Sequence, residues 1–239
     1  KLIGHRGVKN LKPENTLESI TKAFDLGLEC VEVDVKVSKD KIPLLLHDDT
    51  LNRTTNGFGL VCDFTFDEIS KLDAGYFFYK SKTDTRVPNL RQVLDLVKKK
   101  RKFINIELKP NKGYEVLNVE KVLEEIKKIS YEKIYFSSFD LSSCIRLKEN
   151  SPESLCGFLN DNFSKINIVD TIDICKKYSL FSCGINFNDF SQSIVDEFEK
   201  NNIQITVYSE KNISFDDAKN LWNNKVSSIF VDDPSNYII

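Results

Sequence analysis

The chain has 239 residues, enough for one large domain or two small ones, and its 41% hydrophobic and 29% charged content excludes disordered, collagen-like and small disulfide-stapled classes. Its 34 Lys plus Arg against 36 Asp plus Glu leave a formal charge of -2, which offers no general attraction for nucleic acid or an anionic membrane. No run reaches the roughly 20 apolar residues that cross a bilayer, so stable membrane insertion is not expected.

Strand-length apolar runs alternate with amphipathic, helix-length stretches nearly from end to end. The first run, 2–5, leads through Gly4-His5-Arg6-Gly7 and Pro13-Glu14-Asn15-Thr16 into a predicted helix over 16–26, which Asn15 or Thr16 can cap. The second, 30–36, overlaps the alternation Val31-Glu32-Val33-Asp34-Val35-Lys36-Val37, where a period of two places every valine on one side and Glu32, Asp34 and Lys36 on the other. About fifty residues then separate it from the next predicted long helix, at 89–99, far more than a βα loop needs. They hold another strand-like run at 42–47, ending in His47, and a glycine-punctuated stretch over 51–79. We expect a small insertion over about 48–88 at the barrel mouth, with Tyr76-Phe77-Phe78-Tyr79 packing it against the barrel.

The third barrel run, 103–109, repeats the alternation, with Ile104, Ile106 and Leu108 opposite Asn105, Glu107 and Lys109. Strands at 134–138, 155–159, 182–187, 204–208 and 228–232 then alternate with helices at 114–129, 141–150, 169–178, 191–201 and 215–223. Eight strands and seven intervening helices predict an α/β fold, a TIM-type (β/α)8 barrel over 1–239 as one domain. An eight-stranded, doubly wound open sheet shares the same periodicity. The six cysteines form no C-x-x-C pair and read as reduced packing residues, which favours a cytoplasmic setting. The chain starts at Lys1 and contains no Met, so a removed leader would make it periplasmic or secreted instead.

In a barrel the valine faces meet the outer helices and the charged faces enter the lumen. Three converging carboxylates, Glu32, Asp34 and Glu107, then cost several kcal/mol each unless cations neutralise them. One divalent cation, Mg²⁺ or Ca²⁺ with Mn²⁺ as a third fit, suits such an all-oxygen set. The alternatives are solvent-facing residues of an open sheet, or internal ion pairs with Lys36 and Lys109. The only two histidines, His5 and His47, each end an apolar run, where β/α barrels carry their chemistry, and together they can donate and accept a proton in one turnover. Arg6 and Lys109 add positive charge suited to a phosphate ester, though Arg6 can equally pair with Glu14 and Lys109 with Glu107.

The ordered set His5-Arg6-Gly7, Pro13-Glu14-Asn15-Thr16, Glu32-x-Asp34-Val35, Lys39-Asp40, Pro43, His47-Asp48, Leu51-x-Arg53-Thr54-Thr55-x-Gly57-x-Gly59, Leu72-Asp73-x-Gly75, Val87-Pro88 and Glu107-x-Lys109 closely resembles the glycerophosphodiester phosphodiesterases. The match is dense over 3–109 and sparser beyond, where Ser138-Phe139 and Asp232-x-Pro234 resemble later landmarks. That resemblance implies a TIM-type barrel with an insertion after the second strand, and hydrolysis of small glycerophosphodiesters to glycerol 3-phosphate and an alcohol. It places metal ligands on Glu32, Asp34 and Glu107, acid/base histidines on His5 and His47, and phosphate-contacting cations on Arg6 and Lys109, with Glu14 as a supporting candidate. The attacker is left open between water and the substrate's glycerol 2-hydroxyl. Two other functions stand beside it: a lysophospholipase D with the same centre, and a non-catalytic barrel that binds phosphorylated ligands. The intact histidines and carboxylates argue against the latter. Where many family members carry Trp-Thr-Val-Asn, this chain has Tyr208-Ser209-Glu210-Lys211, which bears on the alcohol pocket or simply packs the rim.

Overall fold

The computed structural model describes residues 1–161 and 167–237. The alternation in β2 (Cys30–Val37) resolves into two interiors, because all eight of its residues are buried. Val31, Val33 and Val35 join the large apolar cluster under the helices, while Glu32, Asp34 and Lys36 are buried on the opposite side. A strand with no solvent face must lie between two packed layers, and here these are the helical shell and the barrel lumen.

Around β2 the order is β1 (Leu2–Gly4), β3 (Pro43–Leu45), β4 (Phe103–Leu108), β5 (Ile134–Ser138), β6 (Cys156–Asn160), β7 (Ser182–Asn186), β8 (Gln204–Tyr208) and β9 (Ser228–Val231). The sheet runs β1-β9-β8-β7-β6-β5-β4-β2-β3, and a further β1–β2 pairing closes it. Eight of these strands are parallel staves of a closed barrel, which decides against the open sheet. The ninth, β3, lies antiparallel on β2, so the strand-like run at 42–47 forms a hairpin arm outside the barrel circuit.

The helices are α1 (Leu17–Asp25), α2 (Phe66–Ile69), α3 (Tyr76–Tyr79), α4 (Leu90–Lys100), α5 (Glu115–Lys127), α6 (Leu141–Asn150), α7 (Ile168–Lys177), α8 (Gln192–Lys200) and α9 (Phe215–Asn223). Most begin at a side-chain cap that accepts a backbone N–H, such as Thr16 from Ser19, Asn89 from Gln92 and Ser214 from Asp217. Inside the barrel, small residues make room for large ones. A Cβ on Gly184 would fall 2.2 Å from Leu159 Cδ2, so a larger residue there would have to displace that leucine. Among the described residues, no helix is long and apolar enough to cross a membrane. All six cysteines are free thiols, five of them buried.

The stretch between β3 and α4 has a small core of its own, made by Leu44, Leu46, Leu51, Val61, Ile69, Ala74 and Val87. The aromatics of α3 do not contribute to it, contrary to the expectation that they pack against the barrel. Tyr76, Phe77, Phe78 and Tyr79 are 42, 51, 40 and 37% exposed. Their rings pair edge-on among themselves, Tyr76 with Phe77 and Phe78 with Tyr79. Polar ties hold the helix end, where the Tyr79 hydroxyl donates to Glu18 and accepts from Lys12.

Candidate active site

The site is assembled at the ends of β1, β2 and β4. Register places Asp34 directly beside Glu107, and Glu32 beside Asn105. One oxygen from each of Glu32, Asp34 and Glu107 lies within 4.8 Å of the others, and all three residues are buried. Carboxylates from neighbouring staves thus converge as the alternation requires.

Their neighbours do not balance them. Arg6 Nε lies 3.2 Å from Asp34 Oδ2, and Lys109 Nζ lies 2.9 Å from Glu107 Oε1 and 3.5 Å from Asp34 Oδ1. Asp34, held by these cations and by Asn15, stays ionised far below its usual range even against the cost of burial. Burial, with Asp34 and Glu107 nearby, pushes Glu32 well above its ordinary value. Burial and the Asp34 charge push Glu107 up to about 7. Two cations cannot hold three buried acids ionised, and Glu32 Oε1 has no hydrogen-bond partner. Lys36 does not supply the missing charge, since its ammonium turns to Asp49 at 2.7 Å and to the Lys109 carbonyl at 3.2 Å. An orphaned carboxylate oxygen within an all-oxygen cluster fits a hard divalent cation.

The loop after β1 is shaped for this task. A Cβ on Gly4 would fall 2.3 Å from the Gly7 carbonyl oxygen, and Gly7 sits at φ +84° against Ser19. Arg6 itself adopts φ 51°, a left-handed conformation rare outside glycine, and its backbone N–H donates to Glu32 Oε2 at 2.9 Å. Asn15, also left-handed at φ 56°, grips Asp34 twice, donating from Nδ2 to Oδ2 at 2.8 Å and accepting the Asp34 N–H at 3.1 Å. The cap of α1 is therefore Thr16, which frees Asn15 to orient a candidate metal ligand.

Each histidine has its Nδ1 on a carboxylate, His5 on Asp232 and His47 on Asp48, both at 2.7 Å. That fixes the tautomer with hydrogen on Nδ1 and leaves Nε2 for proton exchange. Burial lowers both imidazoles. Asp232 opposes this at His5, while at His47 Asp34 and Asp48 oppose it and Arg6 and Lys109 reinforce it. Lys9 lies 3.2 Å from Asp232 Oδ2. The Arg6–Glu14 pair is present at 2.8 Å, and Glu14 also receives two bonds from Arg53.

Every residue singled out from sequence, His5, His47, Arg6, Lys109, Glu32, Asp34 and Glu107, thus belongs to this rim. Asn15, Asp48, Arg53 and Asp232 also take part here, although the motifs of the resemblance in which they lie imply no role for them. On the far rim Phe139 faces Lys109, whose ammonium lies 5.5 Å from the ring centroid, and meets Tyr208 edge-on at 5.3 Å. The Tyr208 hydroxyl donates to the Asn160 carbonyl at 3.1 Å.

The model of the glycerophosphoryl diester phosphodiesterase family matches residues 5–236. A glycerophosphodiester phosphodiesterase of Caldanaerobacter subterraneus subsp. tengcongensis is 30% identical over 238 residues, 99% of this chain and 96% of that protein. One from Bacillus altitudinis is 41% identical over 142 residues, 58% of each chain. An Oleispira antarctica phosphodiesterase, solved in complex with the product sn-glycerol-3-phosphate, matches with a TM-score of 0.91 at 26% identity, covering 98% of this chain and 94% of that one.

Proposed function

The chain belongs to the glycerophosphoryl diester phosphodiesterase family and is a phosphodiesterase of that class, and we propose that it cleaves small glycerophosphodiesters, such as glycerophosphocholine or glycerophosphoethanolamine, to sn-glycerol 3-phosphate and the alcohol. The observation that carries this is the convergence of Glu32, Asp34 and Glu107 with two cationic side chains on them, beside the imidazoles of the same rim. The working unit is the whole chain, with residues 48–88 as the insertion over the barrel mouth.

Glu32, Asp34 and Glu107 would hold one divalent cation, Mg²⁺, Ca²⁺ or Mn²⁺. When bound, it supplies Lewis-acid charge neutralisation at a phosphoryl oxygen and a fixed point for the substrate. Arg6 and Lys109 pair with the acids in the resting site and turn their remaining donors to the phosphate, stabilising charge that grows on its oxygens. One imidazole, neutral with its hydrogen on Nδ1, accepts a proton at Nε2 from the attacking hydroxyl, and the other, entering the cycle as the imidazolium, delivers its Nε2 proton to the departing alkoxide and ends neutral. Asp232 and Asp48 keep each ring oriented and favour its charged form as that form develops.

The test is product release from glycerophosphocholine and from a lysophosphatidylcholine by chelator-treated protein, with and without each cation. Cation-dependent formation of glycerol 3-phosphate from the diester supports the proposal. Preference for the lysolipid transfers the site to a lysophospholipase D, and full turnover in chelator removes the cation.

A further inference from the structure

Arg53 lies outside the barrel, in the insertion, and touches none of the carboxylates or cations assigned to the phosphate. Its guanidinium nevertheless spans the two arms of the site. On one side Nε donates to Asp48 Oδ2 at 2.7 Å and Nη2 to Asp48 Oδ1 at 2.9 Å, a two-pronged grip on the carboxylate that holds His47 Nδ1. On the other side Nη1 donates to Glu14 Oε2 at 2.7 Å and Nη2 to Glu14 Oε1 at 2.8 Å. That same Glu14 oxygen accepts from Arg6 Nη1 at 2.8 Å, and Arg6 continues to Asp34. The chain His47–Asp48–Arg53–Glu14–Arg6 is unbroken.

We propose that Arg53 is a positioning residue, whose planar fork locks the His47 imidazole, through Asp48, in register with the Arg6 guanidinium, through Glu14. The inference rests on the function proposed above for what His47 and Arg6 do, but the contacts themselves do not depend on it. Four bonds in one plane toward two carboxylates match a guanidinium and not an ammonium, whose charge is a point. Without that fork, Asp48 keeps only His47 and Glu14 only Arg6, so each pair is free to swing separately. A misplacement of about 1 Å at either end is enough to cost roughly 10²-fold in rate.

The backbone that carries Arg53 is held by other means. The Leu51 N–H donates to the Gly59 carbonyl, and buried Thr55 returns both its N–H and its hydroxyl to the Leu51 carbonyl. The Arg53 side chain is 46% exposed, so a small cation can enter the space it leaves. Arg53→Ala is therefore expected to fold and to accept a replacement guanidinium from solution.

The experiment compares wild type, Arg53→Ala and Arg53→Lys by kcat and KM on glycerophosphocholine, with and without millimolar guanidinium or methylammonium, alongside thermal unfolding. We expect roughly a 10²-fold loss of kcat/KM in Arg53→Ala, shared between a lower kcat and a higher KM, with the unfolding midpoint nearly unmoved. Guanidinium should restore at least a tenth of the lost activity and methylammonium none, and Arg53→Lys should recover little. Because the chain has only two histidines, a ring-selective NMR spectrum gives a second readout that needs no turnover. The His47 ring signals should move in Arg53→Ala and return with guanidinium, while those of His5, bound to Asp232, stay in place. Wild-type kinetics in Arg53→Ala, full activity in Arg53→Lys, or a loss that no guanidinium repairs with unmoved His47 signals would each overturn the assignment. If wild type turns over no diester with any cation, the function proposed above fails, and the NMR arm alone decides for Arg53.

Discussion

Between β1 and β4 the lumen receives Glu32, Asp34, Lys36, Glu107 and Lys109, whereas the staves from β6 to β8 turn Gly157, Ser182, Gly184 and Thr206 to the same interior. In the first half nearly every charge is tied to a partner of opposite sign, and the loop after β1 accepts left-handed backbone at Arg6 and Asn15 to make those ties. In the second half the described rim carries the edge-on pair of Phe139 and Tyr208 and a Tyr208 hydroxyl bond to the Asn160 carbonyl, with the charges of Asp161 and Asp189 nearby. Buried charge demands fixed geometry because an unpaired ion costs several kcal/mol, while neutral surface tolerates exchange. On the function proposed above, the first half is the part expected to carry the chemistry and the second the part expected to contact the alcohol.

This contrast breaks most readily at the histidines. His5→Ala and His47→Ala should each lower kcat by roughly 10² to 10⁴-fold, and Phe139→Leu should lower it far less, as steady-state turnover of glycerophosphocholine will read. Next in size is the hold on Asp34. Asn15→Leu removes both of its bonds to that carboxylate and should weaken cation binding about 10 to 100-fold, measured by titration calorimetry. An unchanged affinity would make Asn15 a packing residue.

Titration sharpens the comparison further. Glu107 is raised to about 7 from an ordinary value of 4.5, so its contribution to stability is fully present below 4.5 and is lost as pH rises through about 7. The two imidazoles are lowered from 6.5, act in the opposite sense, and cease to contribute above that pH. Between pH 6.5 and 8 chelator-treated protein should lose thermal stability, and saturating divalent cation should remove the loss. A cation effect that does not grow with pH in that window would argue against the acid cluster as its seat. The smallest effect is expected on the far rim. Tyr208→Phe forfeits one hydrogen bond of about 1 kcal/mol and should alter the ratio of kcat/KM between choline and ethanolamine diesters by less than tenfold, leaving kcat intact.

Much of this was legible in the chain itself. The valine-and-acid alternation of β2 and its echo in β4 define two distinct faces, which a barrel or an open sheet can both accommodate, and the β1–β2 pairing decides for the barrel. His5 and His47 stand at strand ends, where their surroundings follow from the fold. The ties that orient them are harder to read, because the partner of His5 is 227 positions away and Asn15 reaches Asp34 across 19. Asn15 beside Thr16 also has the signature of a helix cap, and only the left-handed backbone separates the two roles. Lys36 shares a face with Asp34, so the pattern counts it with the acids, yet its long side chain carries the charge to Asp49. For the aromatics of α3, hydrophobic character favours packing, and a polar anchor at Tyr79 prevails instead.

The most direct test is calorimetric titration of Mg²⁺, Ca²⁺ or Mn²⁺ into chelator-treated protein near pH 7, repeated in buffers of different ionisation enthalpy. We expect one ion per chain, bound with release of protons from the Glu32–Glu107 pair and lost in Glu107→Gln together with turnover. Absence of binding in protein that still cleaves glycerophosphocholine at full rate would contradict the account.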